Sequence, residues 1–111
     1  MEKEKEIRLR DVSDVLELIG GRWRGSILAS LCECPKRFSE LKSELKTITP
    51  RILIKELRYL EMNKMIYSEK STISGNSVVY AHTEHGKSIE PLIFKIHEWA
   101  KKHREKVLKA D

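Results

Sequence analysis

The sequence predicts a mainly α-helical domain with one small β-hairpin, ordered helix, helix, helix–turn–helix, hairpin, long helix. Three observations carry that expectation. In Thr49 to Leu60, Leu53, Leu57 and Leu60 fall on one side of a helix at about 100° per residue, and Arg51, Lys55 and Arg58 fall on the other. Two strand-like runs, 65–71 and 77–82, flank the turn residues Thr72-Ile73-Ser74-Gly75-Asn76. Beyond them, Ile89, Leu92, Ile96 and Trp99 recur at spacings of three and four, with Ile93 beside them, as in a coiled-coil seam.

Taken in order, residues 1–10 form a polar lead-in, and 11–111 form a single domain. Asp11 is expected to cap a first helix with Val12, Val15, Leu16 and Ile19 as its apolar positions, ended by Gly20-Gly21. A second helix from Arg22 to about Leu31 turns Trp23, Ile27, Leu28 and Leu31 inward. It closes at Cys32-Glu33-Cys34-Pro35, because proline disfavours helix at the residue before it. Ser39 is expected to cap a short third helix, with Leu41 and Leu45 inward and Phe38 stapling the chain entry.

After the turn Lys46-Thr47-Ile48 comes the fourth helix, at about 49–62. Thr49 can accept from its first free N–H groups, and Pro50 suits its first position, where a missing N–H costs nothing. Asn63 tolerates the left-handed geometry of a helix end. The hairpin follows, at about 66–82. Thr83 is expected to cap a last helix running to about 109, with Pro91 kinking it or marking a short break. A helix–turn–helix followed by a two-stranded hairpin is a winged-helix arrangement.

Net charge is +5 and the pI is about 9.3, with 35% charged and 40% hydrophobic residues, a charged but globular composition. From Lys36 to Lys70 there are nine Lys/Arg and five Asp/Glu, and 9 − 5 = +4 is most of the excess. Charge localised in this way favours a polyanion such as DNA, the alternative being a solvated basic face. No run approaches the roughly 18 apolar residues of a membrane span. The charged start, Met1 to Glu6, has no apolar segment of the kind a signal peptide needs, so a cytoplasmic protein is the expectation.

A leucine-backed helix with a cationic front suits a DNA major groove. Arg51, nearest its N-terminus, is placed to reach a base edge, where arginine pairs with guanine O6 and N7. Lys55 is a base or phosphate contact, and Arg58 a phosphate contact. Ile54 either meets a thymine methyl or packs on the first helix, and the sequence does not separate the two. Lys36, Arg37 and Ser39 stand at the start of the third helix, whose N-terminus favours phosphate. Lys70, Ser74 and Asn76 frame the wing, which is electrostatically weak because only Lys70 is cationic.

Five motifs then fall in order on these elements. They are Leu18-Ile19-Gly20-Gly21-Arg22-Trp23, Pro35-Lys36-Arg37-Phe38-Ser39-Glu40-Leu41, Leu57-Arg58-Tyr59-Leu60-Glu61, Val79-Tyr80 and Thr83-Glu84-His85-Gly86. From Asp11 to His103 the chain resembles the HxlR family of winged-helix transcriptional regulators, relatives of the MarR group. The resemblance implies a homodimer on pseudo-palindromic operator DNA. Terminal helices would form the interface (Ile89, Leu92, Ile93, Ile96 and Trp99 here), with recognition helices in major grooves and wings toward minor grooves. It leaves open a small-molecule or redox effector. The alternative is a winged-helix protein-interaction module that does not grip DNA.

Two departures stand out. Many family members carry a sensor cysteine just before the first helix; that position falls at Arg10 or its neighbour, with no cysteine near. Sensing by that route is not expected. The family often has glycine after the recognition helix, where this chain has Lys64.

No catalytic motif is present, so an enzyme is not expected. Cys32-Glu33-Cys34 lacks the two spaced ligand pairs of a structural zinc site. His82 and His85 could complete a set, but nothing in the sequence brings them near. Two ordinary cysteines, with no metal and no cofactor, is the expectation.

Overall fold

The computed structural model describes residues 1–70 and 77–109. Its helices are α1 (Glu2–Ile19), α2 (Arg24–Glu33), α3 (Phe38–Leu45), α4 (Pro50–Met62), α5 (Glu84–Lys87) and α6 (Glu90–Leu108). Its strands are β1 (Lys36–Arg37), β2 (Ile66–Lys70) and β3 (Val78–His82). β2 and β3 pair antiparallel as the expected hairpin, Ile66 opposite His82 and Lys70 opposite Val78. β1 adds a third antiparallel strand on the far side of β3, Lys36 opposite Tyr80 and Arg37 opposite Val79. This strand ties the root of the wing to the start of α3. At two residues it is too short for any alternation to announce it.

Helix starts differ from expectation at three places. Asp11 caps nothing, because α1 begins at Glu2 and Asp11 lies within it. Ser39 is not the cap of α3 either: that helix begins one residue earlier, at Phe38. Arg37 holds the cap position in extended conformation, and its N–H donates to the Glu40 carboxylate at 2.8 Å. Thr83 caps as expected, accepting from the Gly86 N–H at 2.8 Å, but the helix it caps is the four-residue α5. The chain then breaks at Ser88 and Ile89, and α6 starts with Pro91 in its first turn.

Ile27, Leu28 and Leu31 of α2 meet Leu41 of α3, Leu53, Leu57 and Leu60 of α4, and Met65, Ile66 and Ile89 to form the core. Ile48, in the turn between α3 and α4, is also buried there. Each such side chain contributes about 1.5–3 kcal/mol by leaving water. The three leucines of α4 are therefore what hold its opposite face outward.

The end of α4 is closed in a six-residue turn. The Met65 N–H donates to the Leu60 carbonyl and the Lys64 N–H to the Glu61 carbonyl, both at 3.0 Å. This double bond pattern requires a left-handed residue, and Lys64 supplies it at φ 60°. The lysine thus occupies the left-handed position itself, where the family often has glycine. Thr83 locks the next turn down: its hydroxyl donates to the Lys64 carbonyl at 2.7 Å and its N–H donates to the Met65 carbonyl at 3.0 Å. A Cβ on Gly86 would stand 1.9 Å from that Met65 oxygen, so only glycine lets α5 lie there. The Thr83-Glu84-His85-Gly86 motif is accordingly a clasp between the turn that ends α4 and the start of the C-terminal helices.

The two long terminal helices bury none of their own residues. Val12 and Leu16 of α1 are 56% and 61% exposed, and Trp99 of α6 is 66% exposed. An apolar groove lined by Val12, Val15, Leu16, Ile19, Leu92 and Ile96 runs between them. Among the described residues, no helix is long and apolar enough to cross a membrane.

Candidate nucleic-acid interface

α4 stands on a polar start and an apolar back. The Thr49 hydroxyl accepts from the Ile52 N–H at 3.2 Å, and Pro50 opens the first turn. Arg51, Lys55 and Arg58 project into solvent from the face opposite the buried leucines. Ile54 is exposed among them, together with Ile52 and Met62, and does not pack on the core. The front of α4 is thus a cationic strip with apolar side chains between its charges.

The turn before it is tight. Lys46 takes φ 57° and ψ −75°, and the Thr47 N–H donates to the Leu45 carbonyl at 2.7 Å, forming a γ-turn with positive φ at its centre. Arg22 reaches over from the turn before α2 to donate to the Thr47 hydroxyl at 3.4 Å.

Arg24 braces α4 along its flank, beside the cationic front, a role that sequence reasoning missed. Its Nε donates to Glu56 at 2.8 Å, its Nη1 donates to the Glu17 carbonyl at 2.8 Å, and its guanidinium lies 3.5 Å above the Tyr59 ring. One side chain therefore joins the end of α1, the start of α2 and the flank of α4. Its partner in α4 is 32 residues away, a separation with no periodicity to read.

The remaining expected contacts divide. Arg37 and Ser39 are exposed at the first turn of α3, and Lys70 is exposed at the end of β2. Ser74 and Asn76 lie outside the described residues. Lys36 is a correction. Only 6% exposed, it turns inward, and its ammonium donates to Glu44 at 2.7 Å, Glu33 at 2.8 Å and Ser30 at 3.0 Å. Burial alone would lower its pKa. The hydrogen bonds and charges of Glu33 and Glu44 outweigh that and hold it well above the ordinary lysine value. An ammonium so engaged is not offered to a phosphate. Residue alternation on β1 sends Arg37 outward and Lys36 inward.

On the C-terminal side, Ile89 is also a correction, because it is buried in the chain's own core and not presented with the seam. Ile93 packs partly on that core. Leu92, Ile96 and Trp99 are exposed, and Trp99 stacks on His103 at 4.8 Å between ring centroids.

The structure also brings together what the sequence left apart. Ligand atoms of Cys32, His82 and Glu90 all lie within 4.8 Å of one another. These residues come from the end of α2, the end of β3 and the start of α6. Burial, then the charges of Glu90 and Glu33, push the Cys32 thiol pKa up.

Comparison with known proteins agrees with this architecture. Residues 18–108 match the HxlR-like helix-turn-helix family. The chain is 34% identical over 100 residues to the HTH-type transcriptional regulator YdeP of Bacillus subtilis, covering 90% of this chain and 78% of YdeP. The reduced form of the redox regulator HypR superposes with a TM-score of 0.83 at 30% identity, covering 90% of this chain and 99% of HypR. The reduced form of the transcriptional regulator YodB from B. subtilis superposes with a TM-score of 0.74 at 27% identity, covering 83% of this chain and 90% of YodB. The chain belongs to the HxlR-like helix-turn-helix family, and it is a DNA-binding transcriptional regulator, not an enzyme.

Proposed function

We propose that the protein occupies pseudo-palindromic promoter DNA as a homodimer and so blocks or assists polymerase. The observation that carries this reading is the front of α4, where Arg51, Lys55 and Arg58 are exposed over a leucine-buried back. In this reading Thr49 and Pro50 present the helix N-terminus to the groove. Arg51 reads a guanine, Ile54 meets a thymine methyl, Lys55 contacts a base or phosphate, and Arg58 contacts phosphate. Arg37 and Ser39 hold backbone phosphate at the start of α3, and Lys70 and Asn76 approach the minor groove. Lys36 has no part in it.

The exposed apolar residues of α1 and α6 support the homodimer. A second copy would cover Leu16, Leu92, Ile96 and Trp99, and two recognition helices would then stand about 34 Å apart, one DNA turn. The protein works where its DNA is, in the cytoplasm. An effector remains part of the reading because HypR is a redox regulator and YodB has been crystallised quinone-bound and diamide-treated.

Gel-shift titrations on an operator selected from the host genome test the base-reading role. Arg51→Ala is expected to cost about 1–3 kcal/mol on the operator and less on random DNA. Equal losses on both would sink it. Sedimentation at micromolar concentration tests the dimer, and a wild-type monomer there would count against it.

A further inference from the structure

We propose that Cys32, His82 and Glu90 form a binding site for a divalent cation of the zinc class. The argument begins with the buried imidazole, whose side chain is 2% exposed. Its Nε2 lies 3.0 Å from the Leu28 carbonyl oxygen, which can only accept, so Nε2 carries a proton. In a neutral ring, Nδ1 is then a bare lone pair. It points at the Glu90 carboxylate, 3.2 Å away, which is also an acceptor. Two acceptors at that distance need either a proton or a metal ion between them.

The geometry suits a metal ion in that place. Two ligands each about 2.0–2.1 Å from a shared zinc at a near-tetrahedral angle stand about 3.3 Å apart. The Nδ1 to Oε2 separation is 3.2 Å. The Cys32 sulfur lies within 4.8 Å of both, and binding would draw it in to the roughly 3.6 Å that ligands of one tetrahedral zinc keep. The ring N–H on a backbone carbonyl is the outer contact that metal-bound histidines regularly make, fixing tautomer and orientation. Sulfur, imidazole and carboxylate together select zinc or a first-row neighbour over magnesium or calcium. These three ligands face a cleft of about 400 Å³ that Cys34, Tyr67 and Lys87 also line, which leaves a fourth position for water or an outside ligand.

Binding is a simple exchange. The Cys32 thiol gives its proton to solvent, the thiolate takes the metal, and nothing is oxidised or reduced. The ion would join α2, the root of the wing and the start of α6.

The competing arrangement has a second proton on His82 bridging to Glu90. Equilibrium dialysis of the full chain, stripped of metal and free of any histidine tag, against Zn²⁺, Co²⁺ and Mg²⁺ separates the two. One Zn²⁺ or Co²⁺ per chain is expected, and no Mg²⁺. Bound Co²⁺ should show a thiolate charge-transfer band in the near ultraviolet, and Zn²⁺ should raise the unfolding temperature by mass action. Cys32→Ser should abolish the band and the thermal shift, while Cys34→Ser keeps both. Glu90→Gln, at a half-exposed position, should weaken affinity at least about tenfold. His82→Gln should abolish binding, and the Cys32 and Glu90 variants carry the test if its fold fails. A wild-type chain that binds neither ion at micromolar concentration overturns the site in favour of the protonated pair, and a band that survives Cys32→Ser overturns Cys32 as the ligand in favour of the neighbouring Cys34.

Discussion

Arg24 and Glu56 meet at 2.8 Å on the flank of α4, with the guanidinium over the Tyr59 ring. Both side chains are largely withdrawn from water. The pair fixes the flank of α4 to the junction of α1 and α2, so the cationic front is carried on a braced helix.

Removing either partner should therefore cost more than a surface ion pair would. Arg24→Ala leaves Glu56 without its charge partner and removes the stacking on Tyr59, for a loss of about 2–4 kcal/mol. A double-mutant cycle with Glu56→Gln, read by urea unfolding, should give a coupling of about 1–3 kcal/mol. Additive losses would show that the contact contributes nothing beyond packing.

Lys36 and Arg37 are neighbours with opposite fates, and DNA binding should tell them apart. Arg37→Ala is expected to lower the slope of log affinity against log salt by about one, as loss of a phosphate contact does. Lys36→Met should leave that slope unchanged and reduce folding stability instead. A slope change for Lys36→Met comparable to that of Arg37→Ala would show that the lysine swings out to reach the backbone.

The Lys36–Glu44 pair also makes a pH prediction. Lys36 titrates higher folded than unfolded, so its contribution is fully present below the ordinary lysine value and is lost only as alkali passes the raised one. Glu44 is held below its ordinary value, first by the hydrogen bond from Lys36 and then by that from Ser30. Its contribution is present above the ordinary glutamate range, about pH 4, and fades as acid protonates it. Wild type and Glu44→Gln should therefore differ in stability by a constant amount from pH 6 to 9, and converge in acid below about pH 4. A gap that persists undiminished at pH 2 would contradict the assignment.

Lys64 holds a left-handed conformation that costs a residue with a side chain about 1 kcal/mol and costs glycine almost nothing. Lys64→Gly should raise stability by about that amount, a few degrees in the unfolding midpoint, with DNA affinity unchanged. A fall in the midpoint would mean that the lysine side chain makes a compensating contact.

How much of this was legible in the sequence follows from how local each feature is. The two faces of α4, its Thr49 cap, its Pro50 start and the two wing strands all depend on neighbours within a turn or a hairpin. The sequence spacing therefore displays them. Ser39 misled because capping is decided by one backbone torsion, and Arg37 with Glu40 satisfied the helix start one residue earlier. Lys36 misled because charge says nothing of direction. Its inward turn follows from pairing with Tyr80 across β1 and β3, residues 44 positions apart (80 − 36).

By itself, then, the sequence determined a leucine-backed, cation-fronted helix, the helix–turn before it and the hairpin after it. Periodicity and capping are properties of contiguous residues, and they are written along the chain. Only the tertiary structure decided which cations stay free, how Arg24 braces α4, that Ile89 belongs to the core, and that Cys32, His82 and Glu90 converge. Each of these depends on packing between segments distant in sequence, where one buried contact or one strand pairing outweighs any local preference.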